Sequence, residues 1–123
     1  MAREKAVVVG AGGISRAWFG PLMEERVQVA GVVDLDLDRA KGRIAEYGLD
    51  CPASTDLSGT LRKAQPDFVV DLTVPEAHGK VTCTALRAGC HVVGEKPMAS
   101  SMAEARRMVR TAERADRMYM VSQ

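Results

Sequence analysis

Short apolar runs alternate with longer amphipathic stretches along the chain. Ala6, Val7, Val8 and Val9 form a largely β-branched run without polar alternation, the pattern of a strand covered on both faces. Glycines at 10, 12 and 13 interrupt it, and a helix is predicted from residue 14 to about 26, bent or broken near Gly20 and Pro21. Residues 27–33 read as a second strand ending at Asp34. A helix follows from about 38 to 47, with Ala40, Ile44 and Tyr47 on one face and Gly48 at its C-cap. A short strand near 51–54 and a short helix near 57–64 come next. Residues 67–72 form the fourth strand, and Pro75 opens a helix, where its missing N–H costs nothing. That helix ends at Gly89, and residues 91–94 form the fifth strand.

Ser101 and Glu104 have capping-box spacing, with the serine as N-cap and the glutamate reaching back. Met102, Ala105, Met108, Val109 and Ala112 then make one apolar helical stripe. Arg106, Arg107, Arg110 and Arg114 lie on the other, solvated face. Residues 118–121 form a sixth strand. Repeated strand–helix–strand order implies parallel strands joined by right-handed crossovers. The fold class is therefore α/β, a doubly wound parallel sheet of the Rossmann type, in one domain over residues 1–123.

Composition narrows the partners. A net charge of +1 leaves no electrostatic footprint for nucleic acid or an anionic membrane. No apolar run approaches the roughly 20 residues that span a bilayer. The start at Met1 leads straight into a strand without a signal-peptide core, which predicts a cytoplasmic protein. Cys51, Cys83 and Cys90 form no C-x-x-C pair, so no zinc site is expected. Their odd number without a framework suits a reducing compartment, as small buried apolar residues.

The first strand runs into Gly10-Ala11-Gly12-Gly13-Ile14-Ser15, a G-x-G-x-x-S sequence. Gly10 permits a tight turn, and Gly12 lets the backbone approach a pyrophosphate that free N–H groups and a helix dipole then hold. Ser15 stands where a third glycine would allow close helix–strand packing. Asp34 comes at the end of the second strand, at about the distance where a carboxylate accepts hydrogen bonds from the adenosine ribose hydroxyls. The same charge repels a 2′-phosphate, and Leu35 rather than an arginine follows at once. That favours NAD over NADP.

Gly-Ala-Gly-Gly-Ile-Ser at 10–15, Val-Val-Asp at 32–34, Thr-Val-Pro-Glu-Ala-His at 73–78 and Gly-Glu-Lys-Pro at 94–97 occur in this order. Together they resemble the N-terminal domain of the glucose–fructose oxidoreductase / inositol dehydrogenase (Gfo/Idh/MocA) family, over essentially the whole chain. The resemblance implies a nicotinamide dinucleotide held by Gly10, Gly12, Gly13, Ile14 and Asp34, with Thr73, Pro75 and His78 along it after the fourth strand. Val74 departs from the usual Thr-Pro-Pro there. His78 stands as a cofactor contact or as a structural residue. Lys96 would be the lysine that reaches the substrate hydroxyl beside the nicotinamide, where it can orient the hydroxyl and assist proton transfer. Glu95 would meet the nicotinamide ribose.

Family enzymes carry a second α/β domain with further catalytic groups, and this sequence ends at Gln123, before one. The expectation is the cofactor half of a dehydrogenase for a sugar, polyol or related alcohol, inactive without its substrate domain. The alternative is a non-catalytic NAD-binding or sensor module. An uncovered flank predicts self-association. The Lys96–Pro97 bond is read either as a cis peptide that turns the lysine inward or as plain punctuation before the helix.

Overall fold

The valine run of the first strand is the middle of the sheet. In the computed structural model, which describes residues 3–122, β1 (Lys5–Val9) lies between β2 (Gln28–Val33) and β4 (Phe68–Asp71). β3 (Ala53–Ser54) extends the sheet beyond β2, and β5 (His91–Gly94) and β6 (Tyr119–Val121) extend it beyond β4. Every pairing is parallel, and the order β3-β2-β1-β4-β5-β6 is that of a Rossmann fold. The readings of Met1 as a plain start and Gln123 as the end lie outside the described residues.

Successive valines of β1 face opposite sides, and both sides are covered. Val7 and Val9 pack with Leu61 of α3 (Leu57–Ala64), Leu86 of α4 (Pro75–Arg87) and Ala112 of α5 (Met102–Ala115). Val8 packs with Phe19 of α1 (Arg16–Glu24) and Ala40 of α2 (Leu37–Tyr47). The chain thus changes faces between β3 and β4, which opens a crevice at the C-terminal ends of β1 and β4. As predicted, Gly48 closes α2 in the left-handed region (φ 61°), and Ile44 and Tyr47 join Ala40 on the covered face. Cys83 and Cys90 are buried and Cys51 is half-buried. Burial pushes the Cys51 thiol up to about 11, with the Asp50 carboxylate adding to it, so it is a poor nucleophile.

Three expectations need correction. The glycine turn leads first into a single 3₁₀ turn, Gly13–Ser15, and α1 then runs through Pro21 to Glu24 without a break. The capping box is half made: Ser101 Oγ accepts the Glu104 amide at 3.2 Å, but the Glu104 carboxylate does not return to Ser101. α4 and α5 approach so closely at Gly79 that a methyl there would collide with the Glu104 carboxylate. That carboxylate turns into the helix–helix groove and faces Arg107 at 3.5 Å. The apolar stripe of α5 is also narrower than predicted. Met108, Thr111 and Ala112 are buried, whereas Met102 and Val109 are exposed. At about 100° per residue these two sit roughly 100–120° around the helix from Met108, clear of the sheet.

Candidate functional site

The glycine turn has two distinct kinds of glycine. Gly10 has φ +103°, and a Cβ there would lie 2.7 Å from the Leu72 backbone, so this position excludes a side chain by conformation and by space. At Gly12 and Gly13 a Cβ would meet nothing within 4 Å. Their open side is a cradle free of protein atoms, as a pyrophosphate requires. Ser15 is fully buried in place of the third glycine. Its hydroxyl donates to the Gly12 carbonyl at 2.6 Å and accepts from Arg43 Nε at 3.0 Å, which braces the turn. Ile14 is half-exposed beside it.

Asp34 is almost completely buried. Its Oδ2 accepts the Ala11 amide at 2.7 Å, and its Oδ1 accepts the Asp36 amide at 2.8 Å and Arg39 Nη2 at 3.1 Å. Burial alone would push the carboxyl up. The Asp36 and Ala11 amides and the Arg39 guanidinium outweigh it and hold the group below the usual carboxylate range. Arg39 was missed by reading only the residue after Asp34. It stands in the first turn of α2, whose N-cap is Asp36, and this start aims the arginine back at Asp34. An N-cap aspartate two residues after Asp34 was the available signal.

A cleft of about 540 Å³ opens between these groups, within the range of small-molecule sites. Gly10, Gly12, Asp34, Leu35 and Arg39 line one side, and Thr73, Val74 and Ala77 line another. The structure therefore brings the glycine turn, Asp34 and Thr73 together. Pro75 is the first residue of α4, as predicted.

The loop after β5 meets the same end of the sheet. The Glu95 amide donates to the Asp71 carbonyl at 3.1 Å, and its carboxylate accepts Trp18 Nε1 at 2.7 Å. The Lys96–Pro97 peptide is cis. Lys96 is exposed and does not line the cleft, although its loop adjoins the segment after β4. His78 is buried, with both ring nitrogens against backbone carbonyls. Asp71, fully buried below Thr73, was also missed. It accepts the Thr73 amide and hydroxyl and the Thr82 hydroxyl.

Residues 5–123 match the family described as oxidoreductase family, NAD-binding Rossmann fold (Gfo/Idh/MocA). The 1,5-anhydro-D-fructose reductase of Ensifer adhaerens is 30% identical over 88% of this chain and 32% of its own length. The D-glucoside 3-dehydrogenase of Escherichia coli is 30% identical over 89% of this chain and 32% of its own. An Agrobacterium radiobacter oxidoreductase, solved with NAD+, L-tartaric acid and magnesium, superposes with a TM-score of 0.91 at 25% identity, over 98% of this chain and 35% of that one. The chain thus spans about a third of the length of the relatives it matches. The nicotinamide dinucleotide suggested by the glycine turn agrees with these matches, and no described helix is long and apolar enough to cross a membrane. The chain belongs to the Gfo/Idh/MocA oxidoreductase family and is its NAD-binding Rossmann domain, related to sugar dehydrogenases and reductases.

Proposed function

We propose that this chain is the NAD-binding half of a dehydrogenase that oxidises a sugar, polyol or related alcohol, and that it does not turn over alone. The observation that carries the reading is the buried Asp34 carboxylate in the wall of the cleft that Gly10 and Gly12 also line, with the space beside Gly12 open. The glycine turn holds the pyrophosphate by its amides, and Asp34 accepts the adenosine ribose hydroxyls. Ile14, Thr73, Pro75 and Glu95 complete the cofactor site. When bound, the nicotinamide would supply the hydride acceptor that oxidation of the carbinol carbon needs. Lys96 orients the substrate hydroxyl and takes up its proton. A second domain closes the substrate site and excludes water.

NAD is the preferred cofactor, because the Asp34 charge opposes a 2′-phosphate. Arg39 offsets part of that repulsion, so the preference is one of degree. The proposal includes a cytoplasmic setting, which the buried thiols of Cys83 and Cys90 suit. It also includes self-association through the exposed Val109 and Met118, which line one shallow depression beside the edge strand β6.

Titration calorimetry of NAD into the isolated chain tests the central claim. Saturable binding without turnover of sugars or polyols is expected. No binding at millimolar NAD would remove the cofactor role, and steady turnover would remove the need for a second domain.

A further inference from the structure

The cofactor reading leaves a buried polar group without a task. The His78 ring is 2% exposed near the start of α4. Its Nε2 lies 2.6 Å from the Thr73 carbonyl oxygen and its Nδ1 2.9 Å from the Pro97 carbonyl oxygen, with the Met98 carbonyl at 3.3 Å. All three partners are acceptors only. A neutral imidazole carries one N–H and can serve one side; the doubly protonated ring serves both. A buried donor or acceptor left unmatched would be costly.

The surroundings supply a counter-charge. Asp71, fully buried on β4, takes three hydrogen bonds from Thr73 and Thr82 and none from a cationic side chain among the described residues. Burial pushes its carboxyl up, and the Thr73 hydroxyl and the His78 ring pull it back. Tyr119 of β6 stands near the same carboxylate, and burial pushes its phenol up to about 12. On α5, Glu104 covers the neighbouring Gly79. The ring thus has one buried carboxylate, that of Asp71, near enough to interact with its charge, and its two contacts join two different loops. One is the loop after β4 that lines the cleft. The other is the loop after β5, gripped at the residue next to Lys96.

We propose that His78 is a positioning residue for Lys96: donating from both ring nitrogens, it straps the Pro97 carbonyl to the Thr73 carbonyl and so fixes the Lys96 loop against the cofactor cleft. The strap stands on geometry alone; its catalytic consequence rests on the role proposed for Lys96. It assigns His78 to holding protein to protein, with its ring nitrogens closed to the cofactor.

The test uses the 123-residue chain with its histidines labelled with 15N, studied by NMR without cofactor. Both His78 ring nitrogens are expected to carry protons that exchange slowly with water. A ring with one bare nitrogen would overturn the strap. In His78→Leu, amide exchange at Glu95, Lys96 and Met98 should accelerate by roughly tenfold or more, while Val8 and Val92 in the sheet stay protected. In His78→Asn, which keeps a donor near the Nδ1 position, the Lys96 amide signal should return toward its original place. Unchanged exchange in the leucine variant would sink the proposal. If neither variant folds, the ring protons of the unaltered chain still decide. Calorimetry with NAD, run in parallel, separates the two readings: lost NAD binding with an intact strap counts against the cofactor role only.

Discussion

The Asp34 carboxylate accepts the backbone amide of Ala11 at 2.7 Å, so the end of β2 holds the glycine turn that follows β1. One side chain therefore has two tasks, since the same carboxylate faces the cleft. Asp34→Ala should leave the buried Ala11 amide unmatched and lower stability by about 1–3 kcal/mol. It should also weaken NAD by roughly ten- to hundredfold, the worth of a charge-assisted hydrogen bond. NADP should lose much less, because the change releases Arg39 to meet a 2′-phosphate. Calorimetry with both cofactors decides; an equal loss would mean that Asp34 serves the turn alone.

The two glycines of the turn should respond oppositely to the same change. Gly10→Ala forces an L-residue to a positive φ, at about 1–3 kcal/mol, and drives a methyl into the Leu72 backbone. Gly12→Ala meets open space and should alter stability by no more than about 0.5 kcal/mol, yet it fills the pyrophosphate cradle. Urea melts and NAD titrations of both variants check this. A Gly12→Ala protein that binds NAD unchanged would place the phosphates elsewhere.

Acid should act through Asp34. Its folded-state pKa lies below the ordinary value of about 3.9. The stability it contributes is therefore present above that value and lost as pH falls through the lower folded value. Asp71 has the opposite sign: its pKa is raised, so its contribution is full at low pH and lost as pH rises through the raised value. Denaturant melts between about pH 2 and 6 should show a steeper acid loss in the unaltered chain than in Asp34→Asn. Parallel curves would contradict the assignment.

Val109 and Met118 should drive association at high concentration. Sedimentation across a concentration series should show it, and Val109→Glu with Met118→Glu should abolish it. A monomer at every concentration would refute the proposal.

The framework was legible because its signals are local. Unbroken apolar runs in β1 and β4, Pro75 at the first position of α4 and Gly48 at the end of α2 each follow from a few adjacent residues. Gly10 and Asp34 were legible as a pair because the fold repeats their spacing. The rest depends on contacts between distant segments. Arg39 returns to Asp34 only because Asp36 aims α2. Glu104 leaves its cap because α4 and α5 meet at Gly79. Ser15 became a brace through Arg43, 28 residues away. For His78, spacing left a ligand role and a structural role open, and only the fold brings the Pro97 carbonyl to its ring.

The bond from Trp18 to Glu95 joins α1 to the loop that carries Lys96. Trp18 is the sole tryptophan in the chain, half-buried beside that loop. The protein consequently carries its own optical probe at the site. Ultraviolet emission comes from one indole whose N–H is held by one carboxylate. Events in that loop should change its intensity and colour directly, without a label and without a background from any other indole.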